Sequence, residues 1–495
     1  MSRKFRLLTI LIFFLVLLFY IFSGKKKVEK FDAGTLAGEV VIFRGEIVNP
    51  DQVIENGAVV VNGRKIAWAG RMENLNPGGR QVLDTGACIY PGFIDSHNHL
   101  MYNFLPRWKP GKIFKNRYDW QDEKDYRNSS KKRAAIIKGH KFDLMISKYG
   151  EIKEMISGAT MVQGTIMQKG VQTLVRNLES YNLCKQDSIG TSIFPLEPRE
   201  KKRLPKIIAN LESGRETCHL VHAGEGVDDS SRQELYDLRD AGLLRKELVI
   251  IHGTAFGPAE FKLMADAGVN LVWSPRSNLE LYNTATRADQ ADKAGITLAL
   301  APDWSVTGSD NILEELHCAA KVNTELFQNY FKPRDLFRMI TINPARMFGF
   351  GEYLGSLEAG KEADLAIIRS IQKDPYQNLL SAEITDVLLV VIHGEPYYGL
   401  SEWMEKLGKT ADYETLEVRN NTRAMDITEK IDVPEAGMKL IELNTNLKSV
   451  IPDLNPLAEG VLLPLSQTLA ISTIEALDTV SVILDTEEAD ALSDE

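Results

Sequence analysis

The middle of the chain, from about Pro91 to Gly349, alternates short apolar runs with helical patterns, and this alternation restricts the fold more than any other feature. Runs such as "CHLVHAGEG" and "ELVIIHGTAF" predict strands, and the helix between them is predicted to open with a capping box of Ser231 and Glu234. Uniformly apolar strands are typical of a parallel sheet buried on both faces. An α/β region of about 250 residues with this pattern predicts a TIM-like (β/α)8 barrel. A doubly wound open sheet is the alternative, but no glycine-rich phosphate loop follows the first strand.

Strand-rich segments flank this region on both sides. Short strands separated by turn glycines are predicted before the barrel, and similar text returns after it in "ITDVLLVVIHGEPYY". We expect the two flanks to assemble into one small β-sandwich domain. The predicted organisation is a first sandwich part at 38–90, the barrel at 91–350, a second sandwich part at 351–400 and a C-terminal extension at 401–495. The extension has no functional interpretation, and its last eleven residues, "DTEEADALSDE", are acidic and predicted to be disordered.

The first 30 residues have the composition of a membrane segment. Residues 7–22, "LLTILIFFLVLLFYIF", carry no charge over sixteen positions, and basic residues lie on both sides of them. With the adjoining Ser23 and Gly24, this stretch approaches the roughly 20 residues that cross a bilayer. A cleaved signal peptide is the alternative, but no A-x-A-like site follows, and lysines occupy the place of cleavage. We therefore predict a single N-terminal membrane anchor in residues 1–30, and the charges on both flanks leave the side of the membrane open.

The net charge, the cysteine spacing and the absence of several motifs argue against some classes of function. A net charge of −10 over 495 residues gives no reason to expect a nucleic-acid partner. The four cysteines form no CxxC, and Cys218, inside an apolar run, is predicted to be a buried thiol. HExxH, P-loop and G-x-S-x-G motifs are absent. A small-molecule substrate remains as the expected partner, and an oligomer is compatible with the sequence.

Titratable residues occur at the carboxyl ends of several predicted strands, where a barrel of this type carries its chemistry. "PGFIDSHNHL" contains two histidines two positions apart, so both imidazoles can reach one point. The ends of three further strands carry a histidine or an aspartate, and a glutamate follows the first of these histidines by three positions. The resulting candidates are His97, His99, His222, Glu225, His252 and Asp303. A single histidine at a strand end is usually structural, but the recurrence at four strands favours a shared site.

Three neutral imidazoles and a carboxylate suit a borderline divalent ion such as zinc or iron(II). A catalytic site keeps one position for water, whose pKa the ion lowers. A nearby carboxylate then has to take that water's proton and pass it to the leaving group, and Asp303 and Glu225 are the candidates. The sequence therefore predicts a hydrolytic centre with a bound divalent ion.

Candidate substrate contacts lie near the same strand ends. Residues 102–120, "YNFLPRWKPGKIFKNRYDW", mix aromatic and basic side chains directly after the first strand and predict a lid or substrate wall. An ordinary solvated insertion is the alternative. Trp304 can stack on a flat substrate or pack the end of the barrel. The cations that can meet an anionic substrate group are Lys109, Lys112, Arg117 and Arg276.

Together these motifs resemble the metal-dependent amidohydrolase superfamily, in the H-x-x-E form of cytosine deaminase, guanine deaminase and triazine hydrolases. "PGFIDSHNH" is similar to the first-strand metal motif, "HAGE" to the fifth-strand motif and "IIHG" to the sixth-strand histidine. "WSPRSNLEL" and "ITLALAPD" resemble the seventh and eighth strands, and "INPARMFGF…LGSLEAGKEADLAII" resembles the exit into the β-sandwich. The resemblance covers roughly residues 38–398 and implies the barrel-plus-sandwich fold.

The resemblance also implies roles for the candidates. Four residues would surround one metal ion: His97, His99, His222 and Asp303. His252 would contact the substrate or the tetrahedral intermediate, and Glu225 would carry protons to the leaving nitrogen. Relatives with two ions use a carboxylated lysine after the fourth strand, whereas the candidate fourth strand "SIGTSIFPLEP" has none, so one ion is predicted. The eighth strand reads Ala301-Pro302-Asp303-Trp304 where many relatives have Gly-Thr-Asp-Gly, a departure that concerns the substrate pocket.

Three functions are compatible with these residues and this resemblance. The first is hydrolysis of a non-peptide C–N bond, deaminase-like or of a cyclic amide, by metal-activated water. The second is a binuclear peptidase- or esterase-like hydrolase on the same fold. The third is a membrane-tethered binding protein on a catalytically dead barrel, which fold alone does not exclude. The complete set of candidate ligands with both carboxylates favours the first.

Overall fold

The computed structural model describes most of the chain between Lys30 and Leu462. The described ranges are 30–140, 143–164, 174–179, 189–409, 413–427, 438–457 and 461–462. The predicted anchor, apart from Lys30, and the acidic C-terminal segment lie outside the described residues. Within those ranges, no helix combines the length and apolarity needed to cross a bilayer.

The strands fall into a central barrel and an outer sheet. In chain order they are β1 (Phe31–Asp32), β2 (Val40–Val48), β3 (Val53–Asn62), β4 (Lys65–Arg71), β5 (Leu75–Asn76), β6 (Gln81–Pro91), β7 (Phe93–Asp95), β8 (Ala159–Val162), β9 (Arg176–Asn177), β10 (Ile189–Ser192), β11 (Cys218–Ala223), β12 (Leu248–His252), β13 (Asn270–Trp273), β14 (Leu298–Leu300), β15 (Leu365–Ile368), β16 (Val387–Ile392), β17 (Glu395–Leu400), β18 (Glu414–Val418), β19 (Asn421–Met425) and β20 (Val461–Leu462).

Helices separate the barrel strands and continue to the C-terminal side. They are α1 (Arg117–Gln121), α2 (Lys124–His140), α3 (Asp143–Met155), α4 (Leu204–Glu212), α5 (Asp229–Asp240), α6 (Pro258–Ala267), α7 (Pro275–Tyr282), α8 (Ala288–Lys293), α9 (Ile312–Glu325), α10 (Pro333–Met339), α11 (Ile342–Met347), α12 (Pro375–Ser381), α13 (Ser401–Lys406) and α14 (Leu440–Val450).

The strands β7 to β14 form the barrel. They pair in parallel as the three-stranded group β7-β8-β9 and the five-stranded group β10-β11-β12-β13-β14. A parallel bridge between Asn98 and Asp303 joins the last strand to the first. Alternate residues face a dry interior that includes Ile94, Leu220 and Ile251, while their neighbours pack against the helices. The prediction of a (β/α)8 barrel is confirmed.

The flanking strands on both sides of the barrel assemble together. They form one ten-stranded sheet in the order β20-β18-β19-β17-β16-β15-β6-β2-β3-β4, beside a two-stranded β1-β5 sheet. The strand β6 pairs in parallel with β2 on one side and antiparallel with β15 on the other. Because β6 lies between the two flanks, it connects them into a single sheet, and β6 also leads directly into the first barrel strand.

The sheet also continues beyond the 351–400 segment. The strands β18 and β19 pair with each other, and β19 pairs with β17. The helix α14 then packs on α3, and Asn455 reaches the barrel mouth, where its backbone N–H donates to Phe104 O at 3.0 Å and its Nδ2 donates to Ser305 Oγ at 2.9 Å. The described part of the C-terminal extension is therefore integrated into both layers of the fold.

One predicted cap is wrong. The helix α5 begins after Asp228, whose side chain accepts a hydrogen bond from Ser231 N. Asp228 is therefore the N-cap residue, three positions before Ser231, which was predicted to be the cap. Ser231 itself lies in the first turn of the helix. Glu234 is thereby released from a capping role and instead accepts a hydrogen bond from Gly224 N at 2.9 Å, beside the candidate site.

Candidate metal centre

Five polar side chains converge at the carboxyl ends of the barrel strands. His97 and His99 follow β7, His222 lies near the end of β11, His252 ends β12, and Asp303 follows β14. In each of two sets of three residues, one ligand atom per residue lies within 4.8 Å of the other two. The sets are His97, His222 and His252, and His97, His99 and Asp303. The structure thus brings together all five histidine and aspartate candidates from the sequence.

Backbone geometry explains why these side chains meet. Leu220 faces the barrel interior, so strand alternation also turns His222 toward the barrel axis. His252 and Asp303 instead have φ angles of 76° and 69°, which non-glycine residues rarely adopt. At both residues the positive φ angle breaks the alternation of side chains along the strand, and both side chains lie in the cluster. Such local strain is frequent at functional sites.

Three distances between ligand atoms are close to those around a tetrahedral ion. His97 Nε2 lies 3.2 Å from His222 Nε2 and 3.4 Å from Asp303 Oδ1. His99 Nε2 lies 3.5 Å from the same Asp303 oxygen. Atoms that ligate a tetrahedral zinc ion at roughly 2.0–2.2 Å are roughly 3.3–3.6 Å apart. Facing lone pairs of two neutral imidazoles repel each other, whereas a shared cation satisfies both.

The hydrogen bond of His97 fixes its tautomer. His97 Nδ1 lies 2.8 Å from Gln163 Oε1, which can only accept, so Nδ1 carries the hydrogen and Nε2 is free to ligate. The Gln163 amide in turn donates to Glu179 Oε1 at 2.6 Å. Glu179 also accepts from Gly164 N at 3.1 Å. These hydrogen bonds hold the His97 ring in place from the side opposite Nε2.

Ionisation states in the cluster suit a cation. Burial and the neighbouring His97 lower the pKa of His99 to about 4, and burial together with the surrounding histidines lowers the pKa of His222 well below its usual value. Burial raises the pKa of Asp303, but the bond with His97 and the nearby histidines outweigh burial and lower this pKa to about 2. The pKa of His97 is raised, because Asp303 and Gln163 outweigh burial. A cation would replace the proton that His97 and Asp303 share.

His252 has the opposite tautomer from His97. Asn278 Nδ2 lies 3.3 Å from His252 Nδ1 and donates to it, so Nε2 of the neutral ring carries the hydrogen. That nitrogen lies 3.7 Å from Glu225 Oε2. Burial lowers the pKa of His252 to about 3, so the ring remains neutral. His252 is therefore arranged as a hydrogen-bond donor beside the four ligand candidates.

Glu225 is a buried carboxyl group with a raised pKa. It is 5% exposed, and burial raises its pKa to about 8 despite the opposing charge of Arg117 and the hydrogen bond from Tyr282. Tyr282 OH donates to Glu225 Oε1 at 2.9 Å, and Trp120 Nε1 donates to Tyr282 OH at 2.8 Å. A carboxyl group that stays protonated near neutrality can act as a general acid.

The predicted lid, residues 102–120, forms a wall fixed to the fifth strand. Arg117 N donates to the Glu225 carbonyl at 3.1 Å, and Val227 N donates to Lys115 O at 2.7 Å. The Arg117 side chain is 1% exposed and pairs with Glu234 at 2.8 Å. These contacts attach the segment directly beside Glu225, so it is a built part of the site and not a solvated insertion.

Trp304 lies in an aromatic cluster above His99. Its ring centroid is 6.1 Å from His99, 5.5 Å from Tyr102 and 5.6 Å from Trp120, and the residue is 5% exposed. Trp304 Nε1 donates to Thr307 Oγ1 at 2.5 Å. Trp304 therefore packs the barrel end and at the same time borders the path to His99.

Most of the cations proposed from sequence to meet the substrate have acidic partners. Arg276 NH1 lies 3.5 Å from Glu314 Oε2, and Lys112 pairs with Glu123. Arg117 is enclosed by Glu197 and Glu234. Lys109 is exposed on the lid segment. The structure therefore does not bring Arg276, the named substrate-binding candidate, into contact with the histidine cluster within the described ranges.

The fourth barrel strand, β10, carries the residues Ile189 to Ser192 and no lysine. The bridging residue of binuclear relatives is therefore missing from this strand. Within the described ranges, the two potential metal-binding sets share His97.

Four residues around the centre were not predicted from the sequence: Gln163, Glu179, Asn278 and Tyr282. Trp120 and Arg117 lie in the predicted lid segment, but their contacts were not predicted. Gln163 could have been found, because it ends the apolar run "TMVQ" just as His252 ends "LVIIH". The other contacts join elements far apart in the chain, and a single sequence contains no signal for them.

Comparisons with known proteins find related sequences. Residues 200–396 match the model of the Amidohydrolase family. The chain is 24% identical over 404 residues to a 5-methylthioadenosine/S-adenosylhomocysteine deaminase from Caldicellulosiruptor saccharolyticus, covering 74% of this chain and 91% of that protein. A protein of the same name from Acetivibrio thermocellus is 28% identical, covering 63% and 82%.

Solved structures share the fold. A zinc-bound adenosine deaminase from Xanthomonas campestris superposes with a TM-score of 0.59 at 19% identity and covers 83% of this chain and 98% of that chain. Atrazine chlorohydrolase from Arthrobacter aurescens, solved with zinc, superposes with a TM-score of 0.60 at 16% identity and covers 83% and 100%.

Proposed function

Because the chain belongs to the metal-dependent amidohydrolase superfamily and is a hydrolase of non-peptide C–N bonds, we propose that it deaminates a heteroaromatic amine. Thioadenosine nucleosides are the first candidates, since the curated relatives described above carry names of that activity. The observation that carries the proposal is Glu225, a buried carboxyl group with a pKa of about 8 that lies 3.7 Å from His252 at the histidine cluster.

The metal site of this proposal consists of His97, His99, His222 and Asp303. Their interatomic distances and ionisation states suit one zinc or iron(II) ion. When bound, the ion supplies a water molecule whose pKa is lowered enough to react near neutral pH. The chain's own residues then have to orient the substrate and move protons.

Three side chains have the arrangement that deamination needs. Asp303 is ionised over the whole neutral range and accepts the proton of the attacking water. Glu225 is protonated below about pH 8 and donates to the leaving amino nitrogen, which departs as ammonia when the C–N bond breaks. The proton that Asp303 took passes to the ring nitrogen beside the attacked carbon, and the proton of the new C–OH group returns to Glu225 as the carbonyl forms. His252 Nε2–H faces the same space and stabilises negative charge that develops on the attacked carbon's oxygen.

The two other functions have weaker support. A binuclear hydrolase would need a bridging ligand, and β10 has no lysine. A binding protein without catalysis has no need of a protonated glutamate beside the ligand set. A cyclic-amide hydrolase remains within the proposed mechanism, because the same three side chains would open a ring by protonating its nitrogen.

The proposed function is tested by ammonia release from 5-methylthioadenosine, S-adenosylhomocysteine and adenosine, measured with the full chain in mild detergent after zinc loading. We expect at least one of them to be deaminated, and Glu225→Gln to abolish release. Glu216→Gln is the matched control, because Glu216 precedes the same strand but pairs with His219 away from the centre. Turnover that survives Glu225→Gln, or ammonia release from none of the three, would contradict the proposal.

We also propose that residues 1–30 anchor the protein to a membrane, on the strength of their uncharged apolar stretch and its basic flanks. Fractionation of cells that express the full chain, followed by alkaline carbonate washing, tests this. Retention in the membrane pellet is expected. Release of an intact chain by carbonate would contradict the anchor, and a shortened chain would indicate a cleaved signal peptide.

A further inference from the structure

The barrel closes where the loop after its last strand meets the loop after its first strand. At this closing seam, His99 N donates to Asp303 O at 2.7 Å and Asp303 N donates to His97 O at 3.1 Å. The strand pairing there is an isolated bridge between Asn98 and Asp303 and not a ladder of several residues. Three of the four ligand candidates therefore lie on a seam with few backbone hydrogen bonds, so side-chain contacts gain importance for holding it closed.

Polar side chains from both loops form a buried network beside the closing seam. Asn103 Oδ1 accepts from Ser305 N at 2.9 Å, and Asn103 Nδ2 donates to Asn98 Oδ1 at 2.9 Å. The Ser305 hydroxyl donates to Asn103 O at 3.2 Å. Asn98 lies between the two histidines of the first strand, and Ser305 lies two positions after Asp303. The network therefore connects the two loops that carry these ligand candidates.

Asn455, from the C-terminal extension, completes this network. Its Nδ2 donates to Ser305 Oγ at 2.9 Å and to Asp310 Oδ1 at 3.2 Å. Burial raises the pKa of Asp310, but nearby cations, first of all Lys153, outweigh burial and lower it. The ionised carboxylate can only accept, which fixes the orientation of the Asn455 amide. Because the Ser305 hydroxyl accepts from this amide, its own hydrogen is left for Asn103 O.

The backbone of Asn455 is itself held in place. Its N–H donates to Phe104 O at 3.0 Å, and Tyr149 OH donates to its carbonyl at 2.8 Å. Ile451 and Leu454, which precede it, are buried in the same apolar cluster as the barrel helices. Asn455 is 6% exposed. It therefore presents its amide to Ser305 from a fixed position, as a supporting residue of a binding site has to do.

We propose that Asn455 is a positioning residue of the metal centre, which bonds to Ser305 and so holds the loop of Asp303 against the loop of the first strand. This inference rests on the proposed function and adds to it a contribution from the C-terminal extension, beyond the residues 200–396 that match the family model. Loss of the Asn455 amide would loosen the seam without removing a ligand. Metal should then bind more weakly, at an unchanged number of ions per chain.

A purely structural role of Asn455 has a different consequence. If Asn455 only fastened the C-terminal extension to the barrel, its loss would lower the unfolding midpoint and leave zinc affinity unchanged. Zinc affinity and the unfolding midpoint of the metal-free protein therefore have to be measured on the same variants.

The test measures zinc affinity by competition with a chelator and the unfolding midpoint by circular dichroism, with the full chain in mild detergent. The proteins are the wild type, Asn455→Leu, Ser305→Ala and the double variant. Asn455→Leu keeps the approximate size of the side chain but cannot donate. Asn446→Leu is the matched control, because Asn446 lies on α14 and its Nδ2 donates to the Met438 sulfur at 3.6 Å, within the same segment.

We expect Asn455→Leu to weaken zinc binding by roughly 2- to 10-fold, the range of one lost neutral hydrogen bond, and Asn446→Leu to leave it unchanged. In the Ser305→Ala background, Asn455→Leu should have almost no further effect, because the bond between the two side chains is already absent. Zinc affinity that is unchanged in Asn455→Leu, or lowered equally in both backgrounds, would overturn this inference and leave the proposed function intact. A wild type that binds no zinc would overturn both.

Tyr149→Phe provides a second variant in case Asn455→Leu does not fold. It removes the hydrogen bond to the Asn455 carbonyl and keeps the aromatic ring in the core. We expect weaker zinc binding in this variant as well, because the Asn455 amide loses part of its support. Unchanged zinc affinity in a folded Tyr149→Phe protein would then overturn the inference.

Discussion

Two buried glutamates at opposite ends of the barrel have opposite surroundings. Glu225 is 5% exposed and Glu362 is 7% exposed. Around Glu362, the cations Lys65 and Arg176 lie 2.6 and 2.7 Å away. Burial raises the pKa of Glu362, but His393 and these cations outweigh it and hold that pKa well below the usual range. Around Glu225, burial prevails and the pKa rises to about 8.

The comparison distinguishes charged residues that stabilise the fold from charged residues that take part in the chemistry. At the lower end, Arg176 also donates to Asp364 at 2.7 and 2.8 Å, next to the point where the outer sheet enters the first barrel strand. These partners compensate one another and hold the sheet to the barrel. At the upper end, only histidines lie within ion-pair distance of Glu225 and Asp303 among the described residues, and the nearby charge of Arg117 does not offset the burial of Glu225. Such an arrangement costs stability and suits a ligand.

The largest expected effect concerns Glu225. Glu225→Gln keeps the size of the side chain but removes the proton that the leaving nitrogen receives, so kcat should fall by roughly 10²–10⁴. Metal content should stay the same, because Glu225 is not among the four ligand candidates. A fall in metal content in proportion to activity would show that Glu225 supports the metal site and does not act in proton transfer alone.

The reciprocal change at the lower end should affect stability and not chemistry. Arg176→Met leaves Asp364 and Glu362 buried without their partner, and we expect a loss of about 3–5 kcal/mol in the free energy of unfolding. Urea titration measures it, with Arg44→Met as the control. The exposed Arg44–Asp84 pair should be worth about 0–1 kcal/mol. An Arg176→Met protein with unchanged stability and an impaired kcat would contradict the purely structural role of Arg176.

A smaller effect should follow from the contacts behind His97. Gln163→Leu removes the acceptor that fixes the His97 tautomer, and loss of such a contact typically weakens metal binding by about 10- to 100-fold. Competition with a zinc chelator measures this change. The unfolding midpoint of the metal-free protein should move little. Unchanged zinc affinity would mean that the tautomer of His97 is held by other means.

The smallest effect is a shift in a pH profile. Glu225 must be protonated to donate, so kcat should fall as pH rises through its pKa, at or below about pH 8 because a bound cation can only lower that pKa. Tyr282 donates to Glu225 and favours its ionised form. Tyr282→Phe should therefore move the alkaline limb to higher pH, and a shift to lower pH would contradict the assignment of Glu225 as the acid.

Much of the barrel could be predicted from the sequence, because its signals are local. Each apolar run followed by a helical segment marks one strand and one helix, and the residue that ends the run marks the catalytic face. His222, His252 and Asp303 were located by that rule alone. The continuous outer sheet was not predicted, since the position of β6 between β2 and β15 depends on pairing across almost 280 residues of sequence.

The support around the centre was harder to predict for the same reason. Tyr282 ends helix α7 and Trp120 lies in helix α1, two elements far apart in the sequence that meet beside Glu225. Arg276 was predicted to bind the substrate because the sequence does not show that it pairs with Glu314. Positions that depend on one strand were predictable, whereas contacts between elements far apart in the sequence were not.

The most direct test of the central claim is the metal content per chain of the purified full-length protein, measured by elemental analysis with the His97→Ala variant alongside. We expect about one zinc or iron per chain, and almost none in His97→Ala, because His97 belongs to both potential ligand sets. Circular dichroism should show that the variant remains folded. About two ions per chain, or full retention of metal in His97→Ala, would contradict a single centre built on this histidine.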